Sequence, residues 1–221
     1  MKRLVLVALV AMGLALAPKA AQAAIVIDFG TGGAIAGGTY TLQAGGNATG
    51  VNIPIGSMQT DLNGVLGSFC VNGPSGTSNG LCTTLGGFGL SGVLNFNTAT
   101  NTITVTGGIP QLGIAQGTVL LTGTFVSWTA NANGLQGAIG PDTKSPLLLA
   151  ALGLPLNTQF AYFGFSLTSS CTLTVGGACT QWNVISTDIK NTAVPEPGTM
   201  MLLGGGLLGL ATIARRRIRK A

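Results

Sequence analysis

The chain has 221 residues, no histidine, and a formal net charge of +5 from ten Lys and Arg against five Asp and Glu. The positive charge is confined to the ends: between Ala24 and Ala193 only Lys144 and Lys190 face Asp28, Asp61, Asp142 and Asp188, a net charge of −2. That excludes the clustered Lys and Arg of a nucleic-acid surface, and the missing histidine excludes Ser-His-Asp and Cys-His nucleophiles and histidine-ligated metals.

Met1–Ala23 has the parts of a secretory signal helix. Lys2 and Arg3 precede the uncharged apolar run Leu4–Ala17, and Ala21-Gln22-Ala23 offers the small-x-small pattern that signal peptidase accepts. Cleavage is expected before Ala24. The run is short for a permanent span, which disfavours an uncleaved anchor.

The stretch 24–193 reads as one secreted domain. It is rich in Gly, Thr, Asn, Ser and aliphatic residues, and its low charge with ample hydrophobicity does not fit a disordered chain. Strands are expected at AIVIDF (24–29), GTYTLQ (38–43), GVNIPI (50–55) and GVLGSFCV (64–71). The turn-rich NGPSGTSNG follows as a surface excursion. GVLNFNTATNTITVTG is a hairpin: Ile103 and Val105 alternate with Thr102, Thr104 and Thr106, and Asn97–Asn101 is its polar turn. GTVLLTGTFVSWT is a long strand with a bulge or bend at Gly123. Asp142 falls in what reads as a turn, GPDTKS. Ser145 as N-cap, Pro146 at the first helical position and Gly153 as stop define one short helix. In QFAYFGFSLT, Ala161, Phe163, Phe165 and Leu167 share one face and Phe160 and Tyr162 the other, a strand expected to be buried on both sides. QWNVISTDI is the last strand of the domain.

Export implies an oxidising compartment, so the four cysteines are expected as local disulfides, Cys70–Cys82 and Cys171–Cys179. A two-residue Gly176-Gly177 turn would set Cys179 opposite Thr174, so the second bond requires a bulged or longer loop.

Short strands between Gly-rich turns point to an all-β fold, an antiparallel, jelly-roll-like β-sandwich with one short helix; a barrel is the alternative. No metal or cofactor site is expected. The four Asp read as turn and cap carboxylates rather than a glycosidase pair. Trp128, Trp182, Tyr40 and Tyr162 are the candidate sugar-stacking rings, with a core role the favoured reading for each, since strands routinely bury aromatics.

The chain closes with Pro195-Glu196-Pro197, an uncharged run Gly198–Ala214, and Arg215-Arg216-Arg217. As a helix, that run of 17 residues spans about 25 Å, the low end for a transmembrane helix. The arginines place its end in the cytoplasm and the domain outside. The order of these parts resembles the PEP-CTERM sorting signal of Gram-negative bacteria, over about residues 194–221. The resemblance implies an exosortase, a membrane-embedded cysteine protease, as processing partner. It also implies transient membrane attachment, removal of the tail, and delivery to the cell envelope, surface or extracellular matrix in an exopolysaccharide setting. The expected product is a structural or adhesive biofilm protein without enzymatic activity; the alternatives are a polysaccharide-binding module and, behind it, a glycan hydrolase.

Overall fold

The computed structural model describes residues 25–31, 37–43, 45–62, 64–73, 90–175 and 178–193, together with Gly206 and Gly209. Ala24–Val194 form one compact unit. Its strands are β1 (Val26–Gly30), β2 (Thr39–Leu42), β3 (Ala48–Ile55), β4 (Ser57–Leu62), β5 (Val65–Cys70), β6 (Gly92–Asn97), β7 (Thr102–Ile109), β8 (Ile114–Asn131), β9 (Gly134–Lys144), β10 (Phe160–Val175) and β11 (Ala178–Ala193). A single-turn 3-10 helix, Pro110–Leu112, joins β7 to β8, and α1 (Pro146–Ala151) lies between β9 and β10.

The unit is a closed antiparallel barrel of eight strands, not the expected sandwich. β1 and β2 follow one another along β11, which pairs with Val26–Gly30 through Asp188–Thr192 and with Thr39 and Tyr40 through Asn183 and Trp182. β3 and β4 make the next broken line, pairing with β2 and β1 in turn. β5 and β6 make the third, against β4 and β3. β7, β8, β9, β10 and β11 then succeed one another, and β11 closes the ring. The chain therefore runs up and down around the barrel. The turns after β2, β6, β8 and β10 lie at one rim. The turns after β4, β7 and β9 lie at the other, as do the first and last residues of the barrel, where Ala193 N–H donates to Ile25 O at 2.9 Å.

The difference between sandwich and barrel has a physical origin. Alternation demands one buried face, and a rolled sheet buries it as well as two stacked sheets do. The outcome rests on the long-range pairing of β11 with β1 and β2, for which local period carries no signal. Closure also needs curvature, and register shifts in β3, β7, β8, β10 and β11 mark the bulges that supply it.

Most other expected elements are present. β4 was not expected; it extends β3 past Gly56 and pairs with both β1 and β5. The bend at Gly123 is a register shift between Gly123 and Phe125. In β10, a shift between Phe160 and Tyr162 turns Phe160 inward beside Phe165 and Leu167, and all three are buried. Gly164 and Thr168 are exposed, so β10 is not buried on both sides as expected. α1 begins as read, with Pro146 in its first turn, although Ser145 makes no side-chain capping bond. Gly153, at φ +68°, stands just beyond its end in the left-handed region that favours glycine.

The described inward side chains form one hydrophobic core. At the rim of the β2–β3 and β8–β9 turns, Tyr40 contacts Phe96 and Trp182, and Phe96, Phe125 and Phe165 contact one another. Gly50 is required beneath this cluster, because a Cβ there would run into the Phe96 ring. Toward the other rim lie Ile27, Phe29, Ile53, Ile55, Met58, Leu94, Val105 and Ile189, with Leu148 and Leu149 of α1 also in the core.

The expected transmembrane helix, Gly198–Ala214, lies almost wholly outside the described residues. Among the described residues no helix is long and apolar enough to cross a membrane, and of Gly198–Ala214 only Gly206 and Gly209, both helical, are described. The signal helix Met1–Ala23, the cleavage residues Ala21, Ala23 and Ala24, the motif Pro195, Glu196 and Pro197, and Arg215, Arg216 and Arg217 lie outside the described residues.

Candidate functional site

The barrel wall brings three polar side chains together in the core. Asp142 and Lys144 are two residues apart on β9 and so share a face, and that face points inward. Asn191 enters from β11, on the far side of β10. Asp142 Oδ2 is 2.5 Å from Lys144 Nζ and accepts a hydrogen bond from Asn191 Nδ2 at 2.6 Å. Asp142, Lys144 and Asn191 are 7, 2 and 0% exposed. The Lys144 Nζ sits 4.3 Å from the centre of the Phe160 ring.

This corrects the turn reading of Asp142. The sequence GPDTK continues strand β9, and both of its charged residues are buried. Burial raises the Asp142 pKa, against the pull of Lys144. Burial also lowers the Lys144 ammonium to about 8, partly opposed by Asp142. Both shifts favour the neutral acid and the neutral amine, as desolvation must. Asp142 Oδ1 and Asn191 Oδ1 are buried without a hydrogen-bond partner among the described residues.

A second charged group lies on the outer wall. Asp28 of β1 faces Lys190 of β11 in register, with Asp188 beside it. Burial raises the Asp28 pKa to about 7, and a hydrogen bond and repulsion from Asp188 add to the rise, while Lys190 opposes it. Asp188 and Lys190 also border an open groove of about 590 Å³ along β8–β11, with Trp128, Gln136, Gly164 and Ser166. Asp61 has the turn role expected of it, its Oδ1 accepting from Gly64 N–H at 2.7 Å. Among the described residues, no cluster of three or more His, Cys, Asp or Glu side chains could hold a metal ion.

Two of the four candidate sugar-stacking rings lie in the core rather than on an outer face. Tyr40 is fully buried and Trp182 is 5% exposed, so both belong to the core. Trp128 is partly buried and packs edge-on against Phe125. The Tyr162 side chain lies outside the described residues.

Cys171 and Cys179 form a disulfide with their Cα atoms 6.0 Å apart. Cys179 is indeed opposite Thr174, and Cys171 opposite Trp182. Register shifts between these pairs supply the bulges that the bond requires. Cys70 is buried and disulfide-bonded; Cys82, its expected partner, lies outside the described residues.

Of the functional groups, sequence reasoning missed the Asp142–Lys144–Asn191 cluster. The available signal was spacing: the only Lys before residue 190 in the domain stands two residues from an Asp.

No curated protein and no solved structure matches the chain. Residues 193–220 match the PEP-CTERM protein-sorting motif, a segment that contains Pro195-Glu196-Pro197 and Arg215-Arg216-Arg217. The chain is thus an exported protein that carries the signal for exosortase-dependent sorting to the cell surface.

Proposed function

We propose that the sorted barrel is a structural or adhesive component of the cell surface or extracellular matrix, in an exopolysaccharide or biofilm setting, with no catalytic activity. The observation that carries this reading is the outer wall of β3, β6, β7 and β8. Thr49 stands beside Asn97, Asn97 beside Thr102 and Thr102 beside Thr124; Asn95 stands beside Thr104 and Thr104 beside Thr122. A neutral lattice of hydroxyls and amides suits many weak contacts with hydrated polysaccharide, which gain strength by repetition over a surface. Among the described residues, the inward side chains pack into one hydrophobic core, in contrast to the open lumen of larger barrels.

A hydrolase is the least supported reading, because Asp61 is held in a turn by Gly64 N–H and Asp142 is buried against Lys144 and Asn191, which leaves Asp28 and Asp188 on the outer wall without a described cleft between paired carboxyls. A polysaccharide-binding module is the second reading, favoured by the β8–β11 groove and its polar border of Gln136, Ser166, Asp188 and Lys190. Cell fractionation with and without the host exosortase tests the surface placement. Pull-down on the host's own exopolysaccharide tests the adhesive role, and recovery only in the cytoplasm or no retention on polysaccharide would overturn it. A glycan array separates the two readings: selective binding, lost on changing Gln136 and Asp188, would favour the module.

A further inference from the structure

We propose that Lys144 and Asn191 become covalently joined in the folded barrel by an amide bond between Lys144 Nζ and Asn191 Cγ, with release of ammonia and with Asp142 as the proton carrier.

The reaction needs an amine, a carboxamide, a group that takes and returns a proton, and little water. The three groups are on β9 and β11, and the site is buried. One oxygen, Asp142 Oδ2, holds Lys144 Nζ at 2.5 Å and Asn191 Nδ2 at 2.6 Å. The two nitrogens are therefore at most about 5 Å apart, and Cγ, one bond from Nδ2, is at most about 6.5 Å from the amine, a gap that a shift of the flexible Lys144 side chain closes. Holding reacting groups in this way replaces an encounter in solution, an advantage worth effective concentrations of about 10⁵ M or more when the alignment is good. The side chains of Lys144 and Asp142 have no exposed surface.

The chemistry balances. Lys144 gives one proton to the Asp142 carboxylate and becomes a neutral amine. Burial already moves both groups toward this state, lowering Lys144 and raising Asp142. The amine lone pair attacks Asn191 Cγ, forming the Cγ–Nζ bond and a tetrahedral oxyanion. Asp142 passes its proton to Nδ2 and recovers one from Nζ. The Cγ–Nδ2 bond then breaks, ammonia leaves, and the carbonyl reforms as a secondary amide. Lys144 and Asn191 lose their separate polar ends, Asp142 remains as the neutral acid, and no oxidant or co-reactant is consumed. The dry barrel then protects the amide from hydrolysis.

The bond spans β10 and locks β11, the last strand, to β9. It lies near the rim where β11 ends, away from Cys171–Cys179, which joins β10 and β11 near their hairpin turn.

The test is a peptide map of the full chain, expressed with its signal in a host without exosortase and digested with trypsin after denaturation and reduction. The proposal expects no cleavage after Lys144. It also expects a branched peptide containing Lys144 and Asn191, lighter by one ammonia than the two linear peptides together. Cleavage after Lys144, with an Asn191 peptide of full mass, would overturn it. Asp142→Asn keeps the shape of the side chain but cannot shuttle a carboxyl proton, and should slow linkage by about a hundredfold or more. The Cys171–Cys179 bond and the β circular dichroism of this variant report that it has folded. A folded D142N protein linked as fully and as fast as wild type would overturn the role of Asp142.

Discussion

The Tyr40 hydroxyl lies 3.2 Å from Gly134 O, so a side chain from β2 reaches over the barrel rim to the β8–β9 turn. The same hydroxyl is 3.2 Å from Asn131 O. It has one proton to donate and two carbonyls to share it between. Tyr40→Phe removes the donor and leaves buried acceptors behind, and should cost about 1–3 kcal/mol. Urea unfolding followed by fluorescence checks this; an unchanged midpoint would mean that the turn is held by its backbone pairs alone. Burial also raises the Tyr40 pKa to about 12, so its absorbance should not titrate below pH 10 in the folded protein.

Asp28 should make stability fall with rising pH. Its folded pKa, raised to about 7 from 3.8, means that the folded chain binds more protons than the unfolded chain between those values. Stability from this group is full below the unfolded pKa and declines as pH rises toward 7. Asp28→Asn removes the titration, so its melting temperature should fall less than that of wild type from pH 4 to pH 7. Parallel melting curves across that window would show that solvent screens the Asp28–Asp188 pair.

Phe96 and Thr104 are close in the wall but face opposite ways. Phe96 is buried against Tyr40, Phe125 and Phe165, and Phe96→Ala should cost about 3–5 kcal/mol. Thr104→Ala, on the outer face, should change stability by less than about 0.5 kcal/mol. Thermal denaturation of both variants checks the inward and outward assignment of β6 and β7.

Replacing Pro195-Glu196-Pro197 by three alanines should leave an untrimmed, membrane-held protein in the exosortase-bearing host. Intact mass and fractionation report the result. Trimming and release equal to wild type would mean that the sorting segment is read without these residues.

Local structure was legible where period and turn chemistry coincide. Thr102–Thr106 alternate, and the hairpin with its Asn97–Asn101 turn follows. Pro146 and Gly153 bracket α1. The sandwich reading failed because the Trp182–Tyr40 pairing that closes the barrel joins residues 142 positions apart. Alternation puts Phe160 on the outer face, and the bulge between Phe160 and Tyr162, which alternation cannot foresee, turns it inward. Asp142 was placed in a turn because Gly140, Pro141 and Asp142 are turn formers, and its partner Asn191 is recruited only when β10 brings β9 and β11 together.

Ile25 and Ala193 meet by a backbone hydrogen bond at the rim that holds the β4–β5 turn and α1. The barrel thus has a polarity that processing does not change. The chain enters the barrel at residue 25 and leaves it at residue 193, so the segments before and after it both join at this rim. The opposite crown, with the β2–β3, β6–β7, β8–β9 and β10–β11 turns and the Cys171–Cys179 staple, is the end farthest along the barrel from the point of attachment.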